Sequence, residues 1–392
     1  RERLDALTLE KDGVDGKSIY VYGEGWNFGE VQDNQRGVNA TQLNMAGTGI
    51  GTFNDRLRDA VRGGNPFGDR QKQGFVNGLW DDPNATTDQG TPDEQLARLL
   101  LFGDQIKVGM AGNLRAYTFT DRTGNDVTGA QVDYNGSPAG YTDDPQENIV
   151  YIEKHDNETL FDLIQYKAPL GTSMADRVRM QNLGASIVLF SQGVPFVHAG
   201  MDMLRSKDMD RDSYDSGDWF NRLDFTYQSN NWGVGLPLAD KNKDMWEIMR
   251  PLLADPELKP SQADILMAVA HFQETLQIRK SSRLFRLPSA EEIQNRVKFL
   301  NVGKDQIPGL LVMVLDNTDG GIDDPYSAIV VLINVTKSEK SFTAEGLKDF
   351  TLELHPVQVN SVDPVVKTSA FDADTSTFTI PARTASVFVM KK

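Results

Sequence analysis

Between Thr91 and Ile106 the apolar residues Leu96, Leu99, Leu100 and Ile106 keep the spacing of one face of an α-helix. Thr91, Pro92 at the first helical position and Glu94 three residues after Thr91 make a capping box that sets where this helix begins. A second helix is predicted from about Ser173 to Ser191. A third starts at Ser261, carries Ile265, Val269, Phe272 and Leu276 on its apolar side, and ends near Arg279-Lys280, where the helix dipole favours cations. Arg1 to Glu10, with Leu4 and Leu7 among charges, reads as the tail of an amphipathic helix stopped by Gly13 and Gly16.

Short runs rich in β-branched and aromatic residues lie among these helices. Ser18 to Tyr22, Ile50 to Phe53, Ile149 to Ile152 and Val194 to Val197 are predicted strands, and a helical stretch through Arg62 follows the second. Gly63 to Gly68 is turn chemistry, and a long polar loop precedes the third strand. The segments between strands are long enough for crossover helices, which predicts a parallel sheet; four such units are half of an eightfold (β/α)8 TIM barrel. After Arg286-Leu287-Pro288 the pattern changes. Leu310 to Leu315, Ala328 to Asn334, Phe350 to Leu354, Phe378 to Ile380 and Ser386 to Met390 are short strands separated by turns, as in an antiparallel β-sandwich. The expected fold class is therefore α/β, with a half barrel over 1–287 followed by a β-sandwich over 288–392.

Composition narrows the partners. The 392 residues hold 56 acidic and 40 basic side chains, a formal charge of −16 that repels nucleic acid and anionic membrane and points to a neutral or cationic partner. No run approaches the roughly 18 apolar residues of a membrane span. There is no cysteine, hence no disulfide or thiol nucleophile, and the four histidines show no paired metal-ligand spacing. The chain opens at Arg1 with no leader pattern, so any targeting segment would lie upstream and the compartment stays open.

In a parallel barrel the strand C-termini face the active site, so Glu24, after the first strand, and Asp156, after the third, are candidate catalysts. Gly23 and Gly25 let the backbone leave the strand sharply, and Trp26 offers a flat apolar face suited to a sugar ring. Two carboxyls beside an aromatic platform suggest glycoside chemistry, in which an acid protonates the leaving oxygen and carboxylates stabilise an oxocarbenium-like transition state. Taken singly, Glu24 also reads as a strand-end glutamate bonded to loop amides, and His155-Asp156 as a surface turn, since neighbouring side chains on a strand alternate faces. The acidic run Asp208, Asp210, Asp212, Asp215 and Asp218 fails the EF-hand pattern, with Ser213 in place of its glycine and Trp219 in place of its final glutamate. Calcium elsewhere stays open, no cofactor is required, and no metal ligands are assigned.

Gly23 to Val31 and Lys154 to Leu160 resemble two active-site blocks of pullulanases and limit dextrinases in the α-amylase superfamily, glycoside hydrolase family 13. Arg205-Ser206-Lys207 through Asn221 is similar to the loop distinctive of enzymes that cut α-1,6 branch points. The resemblance implies the C-terminal half of the barrel, about strands 5–8, and retaining hydrolysis of α-1,6 bonds in a branched α-glucan: pullulan, limit dextrin or amylopectin. It implies that Glu24 is the acid/base, that Asp156 stabilises the transition state, and that His155 bonds the same sugar. It further implies that Trp26, Phe28 and Phe67 line sugar subsites and that Arg211 and Asp244 hold a more distant glucose. Phe67 reads equally as a rim aromatic and Asp244 as a helix-start carboxylate. The family's attacking aspartate, in a Gly-Phe-Arg-Phe-Asp type block, has no counterpart here; Asn221-Arg222-Leu223-Asp224 lies after the fourth strand and is not promoted. The expectation is that these residues alone are nearly inactive and expose an unpaired sheet edge. A glucan-transferring relative and a non-catalytic glucan-binding module are the alternatives.

Overall fold

A computed structural model describes residues 1–392. Four short strands form one parallel sheet in chain order: β1 (Tyr22–Gly23), β2 (Gly51–Phe53), β3 (Asn148–Val150) and β4 (Val194–Pro195). Tyr22 pairs with Gly51, Thr52 with Asn148 and Ile149 with Val194, so the sheet advances one strand at a time. Helices α1 (Asp55–Arg62) and α2 (Pro92–Met110) lie between β2 and β3; α3 (Leu160–Lys167) and α4 (Met174–Phe190) lie between β3 and β4.

The helix starts follow their caps. Thr91 accepts from the amide of Glu94 while the Glu94 carboxylate takes the Thr91 amide, and Ser173 does the first half of this for α4. Helix α5 (Gln262–Ser281) opens on a second reciprocal pair, Ser261 with Asp264, and ends on Arg279 and Lys280. Each such pair satisfies two amides that a helix start otherwise leaves unbonded.

Beyond α5 the chain builds two antiparallel sheets. One runs in the order Glu353–Leu354, Thr384–Lys391, Tyr326–Asn334, Leu310–Asp316, Val297–Phe299; the other runs Lys340–Thr343, Thr377–Ile380, Ala370–Asp372. Alternation explains why the long strands are apolar throughout. Leu311, Met313 and Leu315 join the core shared with the helices, whereas Leu310, Val312 and Val314 join the core under the smaller sheet with Phe378 and Ile380. Ile329 and Val331 against Val330 and Leu332 repeat the division. A sheet covered on both faces reads as a continuous hydrophobic run. The main core of 46 buried residues therefore passes without a break from Leu57 and Leu183 through Leu287 to Val389.

Several elements differ from the pattern. Ser18 to Tyr22 is not a five-residue strand: Gly16–Ser18 is a 3-10 turn and only Tyr22–Gly23 pairs, because β2 offers partners from Gly51 onward. The first ten residues form two single-turn helices, Glu2–Asp5 and Leu9–Asp12, the second capped by Thr8. The polar stretch before β3 holds two hairpins, Thr118–Thr120 with Asp126–Thr128 and Asp133–Tyr134 with Ser137–Pro138. Pairing at the fourth strand stops at Pro195, and Phe350 closes a turn instead of starting a strand. No helix is long and apolar enough to cross a membrane.

Candidate active site

Strand β1 delivers the chain to Glu24 through Gly23, and Gly25 then turns it. Its φ of +74° is left-handed, and a Cβ there would meet the Thr52 side chain at 2.9 Å, so this position favours glycine for two independent reasons. Beyond β3, Tyr151 to Asp156 continue from the corresponding end, two strands away. The carboxylates of Glu24 and Asp156 and the His155 ring bring one atom each within 4.8 Å of one another.

Lys154 joins them. Its ammonium lies 2.9 Å from Glu24 Oε1, donates also to Asp156 Oδ2, and sits 5.8 Å from the ring centroid of Phe53. Its side chain is 5% exposed, against 44% for Glu24 and 47% for Asp156. His155 Nε2 is 3.3 Å from the other Asp156 oxygen. Burial pushes the Asp156 carboxyl up, but the hydrogen bond and charge of Lys154, helped by His155 and Lys207, outweigh it and hold the group below the usual carboxylate range.

These groups open into a cavity of about 750 Å³. Trp26, Phe28 and Phe67 line it, with Phe28 and Phe67 largely exposed. Across it stand Arg211 and Asp212 from the loop after β4, with Asp240 and Lys241 further on; Lys241 binds Asp212 at 3.0 Å. Phe53 meets Tyr151 and Phe196 edge to face at 5.1 and 4.9 Å in a small apolar cluster against which Trp26 packs. The arrangement offers two carboxyl groups, a bound cation and flat apolar faces around one polar space, which suits a polyhydroxylated ring.

The loop after β4 is held by buried carboxylates. Asp162 accepts from Ser206 Oγ at 2.6 Å and the Lys207 amide at 2.9 Å, and burial pushes its carboxyl up to about 7. Asp208 takes the amides of Gly233 and Gly235 and is raised by burial to about 6. Asp210 binds Ser216 and Asn242, so the carboxylates of this run that face inward are spent on the loop itself. His198 links two elements: Nδ1 meets buried Glu153 at 3.2 Å and Nε2 meets Arg205 at 3.0 Å.

Of the residues singled out in the sequence, Glu24, Asp156, Trp26, Phe28, Phe67 and Arg211 line the cavity, and His155 touches Asp156 from its edge. Asp244 is not brought there. It sits in the exposed 3-10 turn Lys243–Met245, and Asp240 and Lys241, one turn earlier, face the space instead. Asp224 is also outside, bonded to Thr226. Lys154 was missed although the pattern held a clue: residues two apart share a face of an extended chain, which puts Lys154 on the side of Asp156.

The C-terminal part of the chain, residues 227–391, matches the C-terminal family of pullulanase-type alpha-1,6-glucosidases. Over nearly its whole length the chain is similar to pullulanases. It is 50% identical over 396 residues to the chloroplastic pullulanase 1 of Arabidopsis thaliana, covering 99% of this chain and 41% of the relative, and 40% identical to the pullulanase of Klebsiella pneumoniae, covering 98% and 34%. The crystal structure of the maltotriose complex of Klebsiella pneumoniae PulA superposes with a TM-score of 0.89 at 37% identity, over all of this chain and 41% of that one. The chain thus spans about two-fifths of the length of these relatives.

Proposed function

We propose that the 392 residues carry the proton donor and the charge-stabilising carboxylate of an enzyme that hydrolyses α-1,6-glucosidic linkages in branched α-glucans such as pullulan, limit dextrins and amylopectin. The carrying observation is the convergence of Glu24 and Asp156, from β1 and from the chain after β3, within 4.8 Å in one aromatic-walled cavity.

Glu24 protonates the leaving glycosidic oxygen and afterwards takes the proton of the incoming water. Asp156, held ionised by Lys154, bonds sugar hydroxyls and steadies the positive charge at the anomeric carbon. His155 orients Asp156 and reaches the same ring. Trp26, Phe28 and Phe67 stack on glucose units, and Arg211 bonds one further from the cut.

The attacking carboxylate comes from outside these residues. Asp55, another carboxylate of the cavity wall, is engaged by Arg56 and by the Gln42 side-chain amide at 2.9 Å. The parallel sheet over 1–287 is then half of a (β/α)8 barrel, 288–392 a β-sandwich domain, and the 392 residues alone are nearly inactive.

The test is reducing-end release from pullulan by the full-length protein with and without Asp156→Asn. Maltotriose-sized products from the parent and a loss of at least about a hundredfold in the variant support the reading. Chain transfer without new reducing ends, or a variant of near-normal rate, overturns it.

A further inference from the structure

The loop after β4 borders two cavities. Asp218, Trp219, Asn221 and Arg222, with Asn231 and Val234 from the next stretch of chain, line a second one of about 420 Å³. It shares no lining residue with the cavity that holds Glu24 and Asp156. The two are nonetheless built on one loop. Arg211 and Asp212 face the first cavity, and Asn221 closes the loop behind them: its side-chain amide donates to the Ser213 carbonyl at 2.7 Å and its side-chain oxygen accepts from Ser213 Oγ at 2.9 Å.

Trp219 stands out in the second wall. Phe220 beside it is buried, yet Trp219 is 64% exposed, a large apolar surface left in water. The ring is fixed in place all the same. Its Nε1–H donates to the Val234 carbonyl at 3.0 Å, and the Trp219 carbonyl accepts from the Asn231 side-chain amide at 3.0 Å. A ring held by its edge keeps its faces free and loses little freedom when something stacks on it. Asp218 and Arg222, one helical turn apart, are exposed and form no ion pair. A fixed flat face therefore stands among an unspent acceptor and an unspent donor, the combination that holds a sugar by its C–H face and its hydroxyls.

We propose that this second cavity binds an unbranched α-1,4-linked run of the same branched α-glucan, with Trp219 as its stacking platform. The inference rests on the α-glucan reading given above. Its volume lies in the range of small-ligand sites, about 300–1,000 Å³. One acid and one base balance the wall, so it selects no ion, and the chain's formal charge of −16 opposes anionic ligands. A long glucan gripped at Trp219 is held to the loop that carries Arg211. That raises its local concentration at the catalytic cavity without adding a contact to the reacting ring.

The test compares the full-length protein with Trp219→Ala and Trp219→Phe, each checked by a thermal melt. Two readouts are taken: retardation in a native gel containing amylopectin, and kcat and KM on amylopectin and on maltotriose bearing one α-1,6-linked maltosyl branch, which has no long unbranched run. Trp219→Ala is expected to be retarded less and to raise KM on amylopectin by roughly three- to tenfold, with the oligosaccharide kinetics unchanged; Trp219→Phe keeps most of both. Arg222→Ala, which removes an exposed unpaired charge, carries the test if Trp219→Ala fails to fold. Equal retardation and equal KM in the folded variants overturn the site. So does an equal loss on both substrates, which makes Trp219 a support of the catalytic wall, or a lowered melting temperature with binding intact, which makes it a packing residue. A parent that releases no reducing ends from pullulan overturns the hydrolase reading instead, and the gel still decides whether Trp219 holds glucan.

Discussion

The guanidinium of Arg211 lies 5.7 Å from the ring centroid of Phe67, bridging the loop after β4 and the glycine-rich loop after α1 across the mouth of the cavity. Phe67 is 86% exposed and contributes to no core, so its only close company is this cation and whatever occupies the space. An exposed contact of this kind is worth about 0.5–1 kcal/mol.

Phe67→Ala should therefore leave the melting temperature unchanged and raise KM for pullulan, by about tenfold if the ring stacks on a glucose unit, with kcat nearly intact. Steady-state kinetics beside a thermal melt checks this. An unchanged KM returns Phe67 to a rim aromatic.

Gly25 is a sharper case, since it positions Glu24 without touching substrate. Gly25→Ala places a methyl group 2.9 Å from Thr52 in a left-handed residue, costing about 1–2 kcal/mol for the conformation and displacing the turn. The expected result is a modest loss of melting temperature and a much larger loss of turnover, because a shift of about 1 Å at a catalytic group costs on the order of a hundredfold.

His271 on α5 has Nε2 2.9 Å from Ser186 Oγ on α4, and burial lowers its pKa to about 4. The folded value lies below the ordinary 6.5, so the unfolded chain binds the extra proton first. The stability from this site is complete above about pH 6.5 and is lost as pH falls toward 4. Differential scanning calorimetry across that window should show the melting temperature of the parent falling more steeply than that of His271→Gln.

Much of the helical frame was legible because its signals are local. Thr91, Ser173 and Ser261 cap the helices that the apolar spacing predicts, and each cap is a bond between residues three apart. The parallel strands were placed but drawn too long, since their ends depend on partners such as Gly51 that no local window contains. Lys340–Thr343 and Ala370–Asp372 escaped notice because their burial alternates weakly around Phe342 and Phe371.

The site was legible in its chemistry and less so in its company. Glu24 and Asp156 could be picked out as strand-end carboxylates, and the blocks around them resemble one family. Asp240 and Lys241 reach the cavity where Asp244 does not, a matter of which face of a short irregular turn points inward. Alternation predicts that His155 and Asp156 part, yet His155 Nε2 lies 3.3 Å from Asp156, and Lys154 reaches the same carboxylate from the other side.

The central claim is that Glu24 supplies the proton to the leaving oxygen, and one comparison separates this role from a merely structural one. In the full-length protein, Glu24→Gln is assayed on pullulan, whose leaving sugar needs protonation, and on an α-glucoside with an acidic phenol leaving group, which does not. Pullulan hydrolysis should fall by about a thousandfold or more while the first turnover of the phenolic substrate, read as a burst of phenol, persists. Near-normal pullulan turnover, or an equal loss on both substrates, would contradict the account.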